Sequence, residues 1–218
     1  MTRPWGKQLR VVFGETVTEL AAKDPRIVVL DGDLGSSTQA RIFEDAYPER
    51  YYQMGIAEQN MLGVAAGMAK VGLVPFISTF VAFALHRPLD QIRVLIAQTG
   101  ANVKITAGYC GLFTGKAGKT HQIVDDISVA RAIPGLVVVS PADEVETREV
   151  LAWSLGYDGP VFIRLVRDVT QSLFEPGHKF KFGQVKVVRE GRDITLISTG
   201  TQTPRVVDAA DILAAAGI

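Results

Sequence analysis

The chain of 218 residues carries 23 lysines and arginines against 23 aspartates and glutamates, and 47% of it is hydrophobic. That balance gives no reason to expect nucleic acid or an anionic membrane as a partner, and so large an apolar fraction excludes disorder. Cys110 is the single cysteine, which excludes an intramolecular disulfide and a cysteine-rich zinc site, and no apolar stretch is long enough to span a bilayer. The N-terminal MTRPWGKQLR lacks the apolar run of a signal peptide, so a cytoplasmic enzyme is the expectation.

Short β-rich runs alternate with helical patterns. Gly14 to Ala22 reads as a helix with Val17, Leu20 and Ala21 on one side, and Arg26 to Leu30 as a buried strand. A helix is expected over Glu58 to Val71, a strand over Val74 to Ser78, a long helix over Ala82 to Gln98 and a strand over Asn102 to Thr106. A short helix over Asp126 to Arg131, a strand over Gly135 to Val139, a helix over Asp143 to Leu155 and a strand over Val161 to Leu165 complete the series. Strands apolar throughout and separated by helices indicate a parallel sheet covered on both faces. The expected fold is therefore a doubly wound, mostly parallel α/β domain over residues 1–173. Ligands of such sheets bind beyond the carboxyl ends of the strands, where Asp31, Asp33, Thr79, Phe80 and Gly108 fall.

Residues 174–183, with Pro176-Gly177 among them, read as a linker. Residues 184–218 read as the start of a second α/β domain, with strands over Gln184 to Arg189 and Asp193 to Gly200 and a helix over Thr203 to Ala216. So small a unit cannot bury a core alone; the tail is expected either to be truncated, the favoured reading, or to pack on something else.

The stretch Met54 to Met61 (MGIAEQNM) puts one carboxylate, Glu58, where a helix begins among Ile56, Met61, Leu62, Val64, Ala65, Ala66 and Met68. Loss of solvation favours the neutral acid and suits it to exchange a proton with a bound base. The alternative is an exposed first-turn glutamate held by the helix dipole. Two further segments lie downstream: Ser78-Thr79-Phe80-Val81-Ala82-Phe83, continuing through Arg87 to Asp90-Gln91-Ile92-Arg93, and GKAGKTHQ from Gly115 to Gln122, leading to Asp125-Asp126-Ile127 and Arg131-Ala132-Ile133-Pro134. The succession GIAEQNM, STFxxFxxxRxxDQIR, GxxGxTHQxxDD and RAIPGLVVVSPAD resembles the pyrimidine-binding domain of transketolases, which are thiamine-diphosphate enzymes. It is most similar to the separate C-terminal subunit of split transketolases, and the tail resembles the opening of the transketolase C-terminal domain.

The resemblance implies that Glu58 hydrogen-bonds the aminopyrimidine ring of thiamine diphosphate and so promotes loss of the thiazolium C2 proton. It implies that Phe83 stacks on that ring while Phe80 shapes the same wall, and that Asp33 approaches the thiazolium. Ser37 and Arg167 would reach a substrate phosphate, Arg10 would be a second anion contact, and His121 would polarise the sugar carbonyl or exchange its proton. Arg87, Asp90, Gln91 and Arg93, at helical spacings, are expected to organise a subunit contact. Gly32-Asp33 and Asn60 do not form the family's diphosphate-and-metal signature, because Leu34 follows Asp33 and Asn60 lies within a helix. No metal is therefore expected on this chain. The diphosphate and its Mg²⁺ would be held by an N-terminal-section transketolase subunit, in a heterotetramer built on a homodimer of this chain.

Through the donor loop transketolases read H-x-G-x-x-x-G-E-D-G-x-T-H-Q, whereas here Tyr109 replaces the histidine, Lys116 and Ala117 replace the acidic pair, and Lys119 adds charge. Tyr109 is thus expected to meet substrate, in a site more basic and more aromatic than usual. The implied activity is transfer of a two-carbon ketol unit between phosphorylated or otherwise anionic sugars. A deoxyxylulose-phosphate-synthase-like or 2-oxo acid decarboxylating subunit is the alternative enzyme. A non-catalytic scaffold subunit is the third reading, against which the retention of Glu58 with Phe83 argues.

Overall fold

The computed structural model describes residues 3–218, the Lys116 side chain apart. It begins with α1 (Leu9–Ala21), β1 (Ile27–Asp31), two short helices α2 (Gly35–Thr38) and α3 (Arg41–Ala46), and β2 (Tyr51–Gln53). The middle of the chain forms α4 (Glu58–Lys70), β3 (Val74–Phe80), α5 (Val81–His86), the single turn α6 (Leu89–Gln91), a π-helical stretch Ile92–Ala97 and β4 (Lys104–Gly108). Next come α7 (Asp126–Arg131), β5 (Val137–Val139), α8 (Glu144–Gly156) and β6 (Val161–Arg164), with α9 (Thr203–Ala215) in the tail.

The sheet has six strands in the order β2-β1-β3-β4-β6-β5, and every pairing is parallel. This is the doubly wound α/β fold expected. Every residue of β1, β3 and β4 is buried, so both faces of the central sheet are covered, and the apolar runs result from that. The strand order reverses between β1 and β3, which pair Asp31 with Ser78 and leave a crevice beyond their carboxyl ends.

Several expectations are corrected. The first helix starts at Leu9, because Leu9, Val12, Phe13 and Val17 already form its buried stripe. The long helix expected over Ala82 to Gln98 is broken: Pro88 has no N–H to give, α5 ends before it, and the chain resumes with i→i−5 bonding such as Gln98 N–H to Arg93 O at 3.0 Å. Strand β2 carries too few apolar residues to announce itself, and two of its three residues are exposed. The strands expected over Gln184 to Arg189 and Asp193 to Gly200 do not form. Val185 and Ile197 there are 94% and 90% exposed, as is natural for β-prone sequence with no neighbouring strand to pair with. The helix expected after them is present as α9.

Asp143 ties the end of the sheet domain to the segment after it. Its buried carboxylate caps α8 by accepting from Glu146 N–H at 2.8 Å, and its other oxygen accepts from Leu173 and Phe174 N–H, both at 2.7 Å. Asp143→Ala would strand three donors and is expected to cost about 3 kcal/mol in urea unfolding, with Asp143→Asn recovering part of the loss.

Lys104, fully buried on β4, donates to the carbonyls of Tyr157 at 2.7 Å and Gly159 at 2.9 Å, and burial pushes its ammonium down to about 7. Between that value and the ordinary 10.5 the unfolded chain binds the proton that the folded lysine has shed, so this group makes stability rise with pH across that window. The unfolding free energy of the wild type relative to Lys104→Met is therefore expected to increase from about pH 7 to about pH 9.

Candidate active site

Glu58 is the first residue of α4, after Ala57 in a non-helical conformation, and it is only 3% exposed. Glu58, Met61, Leu62, Ala65 and Ala66 are the buried residues of the helix, at spacings of one face, so the carboxylate stands at the head of the apolar stripe. Its surroundings are not purely apolar as expected. Arg87 Nη1 donates to Glu58 Oε1 at 2.7 Å, and the Arg87 guanidinium also lies 4.0 Å from the centre of the Phe83 ring. Gln59 Nε2 donates to the Arg87 carbonyl at 3.0 Å, so neighbouring residues of α4 hold both ends of this arginine. Arg87, expected to organise a subunit contact, thus also meets Glu58 and Phe83 within this chain. The signal that could have found it is the Phe83–Arg87 spacing of one helical turn. Asp90 and Arg93 pair with each other on the surface at 2.7 Å.

From Phe83 an aromatic path leads across the carboxyl ends of the strands. Phe80, the last residue of β3, stacks on Phe83 at 5.8 Å and on Tyr109 at 3.8 Å. His121 meets Phe83 and Phe80 edge-on at 5.1 and 5.9 Å, and its Nδ1 is 2.8 Å from Thr120 Oγ1. Tyr109 is buried and comes directly after β4 with φ +63°, in a region that a bulky residue enters only when its surroundings hold it there. Its hydroxyl donates to the Ser37 carbonyl at 3.3 Å. Arg10 Nη1 donates to that same carbonyl at 3.0 Å and to the Tyr109 hydroxyl at 3.3 Å. The Arg167 guanidinium lies 5.6 Å from the Tyr109 ring centre and pairs with Asp168 at 2.8 Å. Two guanidinium groups thus converge on Tyr109, well suited to an anion.

The loop after β1 is organised from below. Asp31 accepts from Leu34 and Gly35 N–H at 2.8 and 2.9 Å, and burial pushes its carboxyl above the ordinary range against the pull of those bonds. That turn leaves Asp33 exposed with φ +66°. Glu58, Arg87, Phe83, Phe80, His121, Tyr109, Arg10, Arg167 and the Ser37 backbone form one connected set, in which Arg87 is the link between Glu58 and Phe83, whereas Asp33 makes no hydrogen bond or ion pair among the described residues. Lys119 and Ala117 are exposed, and the Lys116 side chain lies outside the described residues. Cys110 is inert beside this set, since burial pushes its thiol up to about 12. Among the described residues no group of three or more His, Cys, Asp or Glu side chains is placed to hold a metal ion, and no helix is long and apolar enough to cross a membrane.

A buried carboxylate beside a half-buried aromatic face suits a flat, hydrogen-bonding heterocycle, and a flat, hydrogen-bonding group, the Arg87 guanidinium, already makes both contacts. A doubly wound domain that carries such a pair among the residues following its strands fits the pyrimidine-binding domain that the sequence resembles. The chain is a member of the transketolase family: residues 6–171 match the transketolase pyrimidine binding domain and residues 183–218 the transketolase C-terminal domain.

A putative transketolase C-terminal section of Methanocaldococcus jannaschii is 41% identical over 214 residues, 97% of this chain and 68% of that protein. A 6-deoxy-6-sulfo-D-fructose transketolase subunit of Clostridium sp. (strain MSTE9) is 38% identical over 210 residues, 96% of this chain and 65% of that one. A 1-deoxy-D-xylulose-5-phosphate synthase of Desulfitobacterium hafniense is 40% identical over 191 residues, 87% of this chain but 30% of the synthase. Among solved structures, a split gene transketolase described as an inactive β4 tetramer superposes with a TM-score of 0.89 at 40% identity, covering 98% of this chain and 69% of that one. The chain thus spans about two thirds of the length of the split subunits it matches.

Proposed function

We propose that this chain is the pyrimidine-binding half of a split transketolase that moves a two-carbon ketol unit between phosphorylated or otherwise anionic sugars. The observation that carries the reading is the continuity of the site, in which the buried Glu58 carboxylate and the Phe83 ring connect through Phe80 and Tyr109 to Arg10 and Arg167. Thiamine diphosphate, when bound, supplies the carbon centre that carries the two-carbon unit. Glu58 would share its carboxyl proton with the pyrimidine ring nitrogen, and its burial keeps water from competing for that bond. Phe83 would orient the ring and Phe80 back it. His121, on the edge of both phenylalanines, would hydrogen-bond the sugar next to the reacting carbon. Arg10 and Arg167 would hold its anionic end, with Ser37 beside them, and Asp33 would face the thiazolium from the strained turn after β1.

The diphosphate and Mg²⁺ fall to a partner subunit in this reading, since Gly32-Asp33 and Asn60 do not form the family's signature for them. The inactive β4 tetramer of the similar split transketolase supports a requirement for that partner. We assign the heterotetramer built on a homodimer, and the division into residues 1–173, 174–183 and 184–218, on the same footing. Tyr109 in place of the donor-loop histidine, together with the relative that acts on a sulfo sugar, favours a donor whose anionic group or hydroxyl pattern differs from that of xylulose 5-phosphate. The identity to the synthase keeps pyruvate as a second donor to be tried.

In the complex reconstituted with its partner, Glu58→Gln is expected to slow hydrogen–deuterium exchange at C2 of the cofactor by at least about 100-fold without loss of fold, and exchange at the wild-type rate would remove Glu58 from this role. A donor panel compared by kcat/KM should prefer a sulfonated or otherwise anionic ketose to pyruvate. Tyr109→His combined with Ala117→Asp is expected to move that preference toward xylulose 5-phosphate, and an unchanged ranking would show that this loop does not select the donor.

A further inference from the structure

Arg87 holds both groups that the proposed function gives to the pyrimidine ring. Its Nη1 donates to Glu58 Oε1 at 2.7 Å and its guanidinium carbon lies over the Phe83 ring, 4.0 Å from the ring centre. Phe80, the last residue of β3, stacks on the Phe83 ring, the Arg87 guanidinium lies over it from just beyond α5, and His121 stands at its edge. A carboxylate can accept more than one hydrogen bond, but a ring face has room for one stacked plate. The incoming heterocycle therefore needs the space that the guanidinium fills. From these contacts we infer that Arg87 is a displaceable occupant of the pyrimidine site, guarding the glutamate and the aromatic face until the cofactor ring takes both. The inference rests on the proposed function, because it takes that ring to be the incoming group.

The means of exit are built in. The Arg87 side chain is 44% exposed, so the guanidinium can swing into solvent. Its backbone stays in place, held by the Gln59 amide on its carbonyl at 3.0 Å and by Pro88, which ends α5 just beyond it. Glu58, at 3% exposure, cannot be left as a buried charge without a partner, so departure of the arginine is linked to arrival of a group that hydrogen-bonds the carboxyl. In both states the carboxyl has a partner.

The test is calorimetric binding of thiamine diphosphate, with Mg²⁺, to the full-length subunit reconstituted with its partner, alongside melting temperatures with and without cofactor. Arg87→Ala is expected to lower Kd about tenfold, to speed association, to lower the melting temperature without cofactor and to enlarge the upward shift that the cofactor produces. Arg87→Met, which keeps an apolar stem on Phe83 but loses the ion pair, should fall between. A merely structural arginine would lower both melting temperatures alike, and unchanged or weaker cofactor binding in Arg87→Ala overturns the inference. Phe83→Ala and Glu58→Gln separate this from the broader reading. If neither weakens cofactor binding, the pyrimidine site itself is misassigned. If both do while Arg87→Ala fails to tighten it, only the role of Arg87 falls.

Discussion

A strand cannot pair parallel to its predecessor through a tight turn; the chain must first travel back along the sheet, usually as a helix. With all five strand pairings parallel, every strand here ends at the same edge, and the residues just after each strand are delivered there. Asp33 and Ser37 come after β1, Glu58 after β2, Phe80 and Phe83 with the end of β3, Tyr109 and His121 after β4, and Arg167 after β6. Ser37 and Tyr109, 72 positions apart, meet because the hydrogen-bond geometry of the sheet returns every strand to the same edge. The site is a by-product of topology before it is an arrangement of side chains.

Within that frame the dominant local term is the cost of removing one carboxylate from water. The head of α4 must be buried for its stripe of Met61, Leu62, Ala65 and Ala66 to pack, and Glu58 goes down with it. A surface ion pair contributes little, but breaking a pair that includes a deeply buried member is expensive. The Glu58–Arg87 contact belongs to the second kind on its glutamate side and to the first on its arginine side, and that asymmetry makes one partner fixed and the other exchangeable.

The sheet was readable because strands buried on both faces are rich in apolar residues, as Ile27–Leu30 of β1, Val74–Ile77 of β3 and Val161–Ile163 of β6 are. Strand β2 was not, since at the sheet edge its pairing with β1 is specified by backbone bonds rather than by its own side chains. The tail failed in the opposite sense: Val185, Val187 and Ile197 have β propensity, but propensity forms a strand only where a neighbour accepts its hydrogen bonds. For the site, motif order drew attention to Glu58, Phe83, His121 and Arg167, whereas Arg87 was expected at a subunit contact and its bond to Glu58 was not foreseen. Helical spacing told which residues share its face. It could not tell that Pro88 would end the helix and leave the guanidinium over the ring.

The shared carboxylate of Asp143 has a consequence for how the molecule opens. One group closes both the first turn of α8 and the stretch just after the sheet domain, so neither segment can detach without exposing the donors of the other. The amide protons of Glu146, Leu173 and Phe174 then belong to one protected unit, although the last two lie in chain with no helix or strand of its own. The connection leading toward the tail is thereby drawn into the cooperativity of the sheet domain, and a protease would meet it as part of that domain rather than as a loose tether.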